Sequence, residues 1–393
     1  MPLVHMADML KHAYHHSYAV GAFGVVNLDF VQGVLQAAED CRAPVILNLI
    51  ESHFNYYDLE LLMPAVTVAA QRAKVPVAIC LDHGVSIESA ARGIRAGCNG
   101  VMVDTSLRPF EENLKITRNV AAMGHACGVA VEGELGYVPG DEDEEGVKTP
   151  GGLVYTLASE AKAFVERSGV DFLAVSIGTA HGRMSGTPKL DYARLAKINE
   201  AVGIPLAVHG GTGLSDDQCR KLIANGVAKI NYYTALSEAA GSHIRANATP
   251  DKKSYKMLTR GVRGVIRAEV ERCIRLWGSS GRAAEVLAQC RPWREVEHVV
   301  LYNAPQTLSE DAASSTMQQQ GKEILEAIPG VRHVQAGTAV GGEAKYRHCL
   351  LVRLASEEVI AAYNKHPDQA QFAKDLFQHS TMDRAAIDFE LTR

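Results

Sequence analysis

Between residues 18 and 234 short apolar runs recur eight times, each parted from the next by a stretch with helical periodicity. They read YAVGAFGV (18 to 25), PVILNLI (44 to 50), PVAICLD (76 to 82), GVMVDT (100 to 105), GVAVEGELG (128 to 136), FLAVSIG (172 to 178), PLAVHGG (205 to 211) and VAKINYYT (227 to 234). Continuous Val, Ile, Ala and Leu, without polar alternation, suits strands covered on both faces, as in a parallel sheet whose crossovers are helices. The segments between carry helix punctuation: Ser86 opens SIESAARGIRAG, which ends in Gly97, and Ser215 opens SDDQCRKLIANG, which ends in Gly226. Eight such units over this length predict a (β/α)8 TIM barrel, class α/β. An open doubly wound sheet is the structural alternative, but no GxGxxG follows the first run.

At 393 residues the chain is longer than one ordinary hydrophobic core spans, so a second, smaller domain is expected. The character changes around CRPWRE, which places a barrel at 1–288 and a second unit at 296–393. That unit reads strand (296 to 303), helix (about 309 to 328), strand (331 to 340), strand (346 to 355), helix (356 to 377) and strand (384 to 392), an order that suits a ferredoxin-like α+β module. A chain with 47% hydrophobic and 22% charged residues, and no long uncharged apolar run, is expected to partner no membrane. A net charge of -5 argues against a nucleic-acid partner. The N-terminus lacks the basic start and apolar middle of a secretory signal, so a cytoplasmic location is expected. The eight cysteines are scattered with no CxxC pair and read as small buried hydrophobes. His12, His15 and His16 read as surface or half-buried residues.

In such a barrel, side chains at the C-terminal ends of strands converge on one mouth. Strand three ends in Asp82-His83, strand four in Asp104, and strand five in Glu132 and Glu134. Strand six runs into His181, strand seven into His209 and strand eight into Asn231. One histidine after a strand is ordinary. Three that converge and leave a position open are the ligand set of a catalytic zinc or similar divalent ion. Glycines at 84, 182, 210 and 211 adjoin them and permit close backbone approach. HGGTGLSDD leads into a helix, and amides before a helix N-terminus, with the Thr212 hydroxyl, make an anion cradle.

The segments CLDHG, VEGELG, AVSIGTAHG, LAVHGGTGLSDD and KINYYT, in that order, resemble the motif series of class II, metal-dependent ketose-bisphosphate aldolases, the fructose- and tagatose-bisphosphate enzymes, over about residues 1 to 285. The resemblance implies cleavage of a ketose (bis)phosphate to dihydroxyacetone phosphate and an aldehyde, with an enediolate stabilised by the metal acting as Lewis acid. It implies His83, His181 and His209 as ligands of zinc or another divalent ion, and Asp82 as the acid/base at the aldehyde oxygen. Asp104 and Glu134 match a second or alternative metal site, and a monovalent cation is allowed beside it. Gly182, Gly210, Gly211 and Thr212, with Asn231, Tyr232, Tyr233 and Thr234, match segments that bind dihydroxyacetone phosphate. The loop PGDEDEEG falls where the family carries a glutamate base; Glu142 is the closest match, with Glu144 and Glu145 beside it.

Three departures bear on substrate. Strand eight reads NYYT, where relatives often carry a carboxylate, so Tyr232 or Tyr233 alters a contact; TPDKKSY replaces a DPR segment near which relatives hold the distal phosphate; and Glu51 and His53 crowd a rim that is commonly smaller. The expectation is a retained ketose-phosphate half with drifted aldehyde specificity, a non-bisphosphate ketose or hydroxy-keto substrate being the alternative. A rival mechanism uses a Schiff base on Lys229, which shares strand parity with Asn231. A rival of another class is a non-catalytic metal-binding scaffold that assembles through its C-terminal unit.

VEHVVLYN, GVRHVQAGTAV, YRHCLLVRLASEEVIAAYNKHPDQAQF and AAIDFELT resemble the stress-responsive dimeric α/β-barrel (Dabb) family, which implies a ferredoxin-like fold and pairing. A homodimer or homotetramer is expected, with this unit either dimerising or bordering the active site. His298, His333, His348 and His366 are read as strand-face or helix-end residues in preference to a second metal site.

Overall fold

The structure, a computed structural model, describes residues 2–140, 153–182, 188–251, 253–303, 321–377 and 384–391. The eight apolar runs form β1 (Val20–Gly24), β2 (Val45–Ile50), β3 (Val77–Gly84), β4 (Gly100–Val103), β5 (Ala130–Leu135), β6 (Phe172–Val175), β7 (Leu206–Val208) and β8 (Val227–Tyr232). They close in sequence order into one parallel barrel, β1 pairing with β8 through Ala22 and Asn231. Outside lie α2 (Leu28–Cys41), α3 (Leu59–Arg72), α4 (Ile87–Ala96), α5 (Phe110–Ala126), α6 (Ala158–Ser168), α7 (Tyr192–Val202), α8 (Asp216–Ala224), α9 (Thr234–Asn247), α10 (Tyr255–Leu258) and α11 (Val262–Leu276), followed by α12 (Ala283–Gln289). The punctuation works as its chemistry dictates. Ser86 accepts from the Ser89 amide to open α4, and Ser215 forms a reciprocal capping box with Gln218 to open α8.

The floor of the barrel is apolar. α1 (Met6–His15) lies beneath it and contributes Met6, Met9 and Leu10 to a cluster with the inward Val20, Ala22, Ile46, Ala78 and Phe172. Gly100 makes room for it, since a Cβ there would meet the Met6 sulfur. His12 departs from the surface reading: it is buried, with Nδ1 at 2.9 Å from the Tyr18 hydroxyl and its ring stacked on His16. The eight cysteines are free thiols, seven of them buried.

After α12 come β9 (Val296–Tyr302), α13 (Lys322–Glu326), β10 (Val331–Thr338), β11 (His348–Leu354), α14 (Glu358–Lys365), α15 (Pro367–Phe377) and β12 (Arg384–Glu390). The strands make an antiparallel sheet in the order β10-β11-β9-β12, the ferredoxin-like arrangement. The helix expected over 356 to 377 is two helices, because Pro367 has no amide to continue the ladder and pushes His366 to extended backbone (ψ 132). Of the helix expected near 309 to 328, the first part lies outside the described residues.

This unit sits against the strand-entry end of the barrel. Arg332 reaches the last carbonyls of α4, with Nη2 at 2.8 Å from Ala96 O, and the Ser356 hydroxyl donates to Cys127 O, just before β5, at 2.8 Å. The Trp293 amide donates to Leu3 O, and the Trp293 ring meets His5 edge-on. The mouth, at the other end, is left clear, so within one chain the unit does not border the site.

Candidate active site

Three histidines from three strand ends meet at the mouth. His83 Nε2 lies 2.9 Å from His209 Nδ1, which lies 3.5 Å from His181 Nε2, and one ligand nitrogen from each ring falls within 4.8 Å of the others. Each remaining ring nitrogen is held by an acceptor: His83 Nδ1 by Asp104 Oδ2 at 3.0 Å, His209 Nε2 by Glu132 Oε1 at 2.9 Å, and His181 Nδ1 by Val138 O at 3.2 Å. These acceptors call for the proton on the outer nitrogen, which leaves three inner lone pairs facing one point. Lone pairs so close repel unless a cation lies between them. Zinc–nitrogen bonds of about 2.0–2.1 Å at tetrahedral angles put nitrogens about 3.3 Å apart, so the donor set fits such an ion.

The backbone explains how adjacent residues both reach the mouth. Along β3, Leu81 pairs with Val101 but Gly84 pairs with Val103, so three residues of β3 span two of β4. This bulge holds His83 at φ 50, a left-handed conformation uncommon for a side chain larger than glycine. Asp82 then keeps its place inside the barrel while His83 turns toward the ligand point. Asp82 is fully buried; its carboxylate accepts from Asn48 Nδ2 at 2.6 Å and from Asn231 Nδ2 at 2.9 and 3.0 Å. On the β6 and β7 loops, Gly210 (φ 69) presses so near Ala180 that a Cβ would lie 2.0 Å from its carbonyl oxygen. Only glycine permits that approach, which sets the spacing of His209 and His181.

Burial disfavours charge throughout. With the positive charge of His83 nearby, it holds His181 and His209 well below the usual imidazole range. At His83 burial is outweighed by Asp82, Asp104 and Glu134, which lift the ring well above that range, so that with no metal bound its inner nitrogen holds a proton in the place an ion would take. Burial likewise opposes the charge on Asp82, but His83, Lys229 and His209 draw its carboxyl below the ordinary value. Burial and the nearby Asp104 raise Glu134 well above it. Glu134 Oε2 is buried with no hydrogen-bond partner, and Glu134, Asp104 and His83 form a second group spaced to hold a cation.

Lys229, the candidate for a Schiff base, points into the barrel as its parity implies, 2.7 Å from Glu132 Oε2, and both side chains are fully buried. Burial alone would favour the neutral amine, but Glu132 holds it charged, above the ordinary lysine range. A protonated amine is no nucleophile.

Not every expected residue comes to the mouth. Tyr232, next to the inward Asn231, faces outward, where its hydroxyl donates to Glu269 Oε1 at 2.6 Å and its ring packs on Phe23 and Trp277. The altered substrate contact cannot be its own. Tyr233 is buried against His53 and Phe30, Thr234 opens α9, and Thr212 Oγ1 accepts from the Ala235 amide at 3.3 Å. Gly182 (φ 74) follows His181, and Gly211 donates to Asn231 O. Glu51 does not crowd the rim freely: its oxygens accept from the Val85 amide and Ser89 hydroxyl at 2.8 and 2.6 Å, anchoring the start of α4. Glu142, with Glu144 and Glu145, lies outside the described residues. Sequence reasoning gave no role to Asn48, to Glu132 or to the Val138 carbonyl. Asn48, the one polar residue of VILNLI, carried a visible signal; the carbonyl carried none.

The chain is similar to known proteins in two blocks. Residues 4–282 match the family model described as fructose-bisphosphate aldolase class-II, and residues 296–391 match the stress responsive A/B barrel domain. A fructose-bisphosphate aldolase of Geobacillus stearothermophilus is 40% identical over 291 residues, and a probable fructose-bisphosphate aldolase of Bacillus subtilis is 39% identical over 288; each match covers 72% of this chain and 100% of the relative. Among solved structures, the YdjI aldolase from Escherichia coli K12 superposes with a TM-score of 0.65 at 33% identity, covering 72% of this chain and 99% of that one. A putative fructose-1,6-biphosphate aldolase from Coccidioides immitis gives 0.66 at 32%, covering 72% and 98%. With a metal-fitting histidine cluster at the mouth of its barrel, the chain belongs to the class II fructose-bisphosphate aldolase family, its barrel continued by a stress-responsive A/B barrel domain.

Proposed function

We propose that this lyase is a zinc-dependent aldolase that reversibly cleaves a ketose (bis)phosphate to dihydroxyacetone phosphate and an aldehyde. The observation that carries the reading is the set of three inner imidazole nitrogens whose outer partners are each anchored, with Asp82 beside them. His83, His181 and His209 would hold the ion, and Asp104 and Glu134, with His83, an alternative position. A divalent ion there supplies Lewis acidity for the negative charge that builds on the ketose carbonyl oxygen. Asp82, oriented by Asn48 and Asn231, takes the proton of the C4 hydroxyl as the C3–C4 bond breaks and C4 becomes the aldehyde. In condensation it returns that proton. The three-carbon half gains a proton at C3 from the acidic loop, with Glu142 the residue assigned to it. Gly182, Gly210, Gly211, Thr212, Asn231, Tyr233 and Thr234, on the β6 to β8 side, would bind the ketose-phosphate end; the helix starts at α8 and α9 favour an anion there.

Neither rival explains as much. A Schiff base needs a neutral lysine, and a structural metal site needs no adjacent carboxylate aligned by two amides. The domains are assigned as 1–288 and 296–393, with a second copy pairing through the latter. The test is metal content and aldol cleavage, before and after chelation, across a panel of ketose 1-phosphates and 1,6-bisphosphates. Activity should disappear with the metal and return with zinc; full turnover by a metal-free preparation would end this reading.

A further inference from the structure

The mouth is not symmetric about the histidines. The glycine-rich cradle lies on the β7 and β8 side, whereas a cavity of about 540 Å³ runs from His83 and His181 the other way, beneath the loops after β2, β3 and β4. A ketose seated with its phosphate on the cradle must extend its other half into that cavity. Ser52, Phe54, Asn55, Val85 and Leu107 line it, with Arg92 as its one lysine or arginine among the described residues.

Arg92 is built to present a fixed edge. It stands on α4, whose start Glu51 ties down. Its Nε and Nη2 make a two-pronged contact with Glu60, both at 2.8 Å, and its guanidinium carbon lies 5.4 Å from the centre of the Phe54 ring. Arginine has five donors in a rigid plane, and these two contacts leave three, both of those on Nη1 among them, without a partner among the described residues. Glu60 lines the neighbouring groove and not this cavity, whereas Arg92 lines both, with its side chain 44% exposed. The Arg92 fork in turn pulls the Glu60 carboxyl down to about 2, so the brace stays ionised near neutral pH. The other charged groups along the cavity are occupied: Glu51 by Val85 and Ser89, Asp104 by His83 and Ser106.

We infer that Arg92 is a specificity-determining residue: it receives an anionic group, phosphate or carboxylate, at the far end of the aldehyde half. This deepens the aldolase reading and rests on it. A contact made equally in the ground and transition states is felt in KM with kcat unchanged, and that is the signature expected of Arg92.

The zinc-loaded full chain is assayed in the condensation direction with dihydroxyacetone phosphate and three aldehydes: glyceraldehyde 3-phosphate, succinic semialdehyde and glyceraldehyde, which end in phosphate, carboxylate and hydroxyl. The wild type should favour at least one anionic aldehyde over glyceraldehyde by about 10- to 100-fold in kcat/KM, the size of a charged hydrogen bond. In Arg92→Gln that preference should collapse through KM, with the rate on glyceraldehyde unchanged, and Arg92→Lys should restore part of it. The two anionic arms tell a phosphate reader from a carboxylate reader. An equal rate on all three aldehydes by the wild type, or a preference that survives Arg92→Gln, overturns the inference while leaving the aldolase reading intact. A wild type that condenses none of them, and cleaves no ketose phosphate, overturns both.

Discussion

Two amides donating to one carboxylate cost a protein little to build and decide a great deal at Asp82. Asn48 and Asn231 aim a fully buried carboxylate that His83, Lys229 and His209 keep charged. Asp82→Ala should therefore lower kcat by about 10²–10⁴-fold while bound zinc, measured by metal analysis, stays at the wild-type level. A parallel loss of metal would mean that Asp82 serves the ligands and not the proton. The Lys229–Glu132 pair makes a different prediction, because it is fully enclosed and also steadies His209. Lys229→Met leaves a buried carboxylate without its cationic partner and should cost about 3–5 kcal/mol in denaturant unfolding. The double variant Glu132→Gln, Lys229→Met should recover much of that. Equal losses in single and double variants would show that the pair does not act as a unit.

At the scale of elements, the mouth depends on backbone that side chains only decorate. Gly210→Ala would force a Cβ against Ala180 O and spread the loops that carry His181 and His209. Zinc affinity, by competition with a chelator of known strength, should fall at least about 10-fold; unchanged affinity would show that the loops can give way. This dependence also explains what could be read from the chain. The eight strands were legible because strands buried on both faces must be continuously apolar, and the histidines because each ends such a run. Parity alone predicts Lys229 and Asn231 inward, and followed one residue further it turns Tyr232 outward, where the structure has it. The bulge at Asp82-His83 was not legible: it arises from the register between β3 and β4, a relation between segments with no local signature. The same holds for the partners of the outer ring nitrogens, which come from the loop after β4, from β5 and from the loop after β5. A single helix over 356 to 377 overlooks the break before Pro367, which proline chemistry dictates.

At the scale of the molecule, the second domain presents one finished and one open face. Its helices cover Val296, Val300 and Tyr302, whereas Val299, Leu301 and Leu351 stay half-buried on the other side, continuing to Ile387 and Phe389, which are 50% and 48% exposed. A second copy laid against that apolar face is the expected occupant. Leu351→Glu with Ile387→Glu should convert the wild-type assembly to a smaller species in light scattering while the far-UV spectrum is kept; an unchanged mass would place the interface elsewhere. Because this domain rests on the floor of the barrel, a contact made through it lies at the end away from the mouth, and turnover per chain is expected to hold constant as the preparation is diluted through the point where pairs come apart.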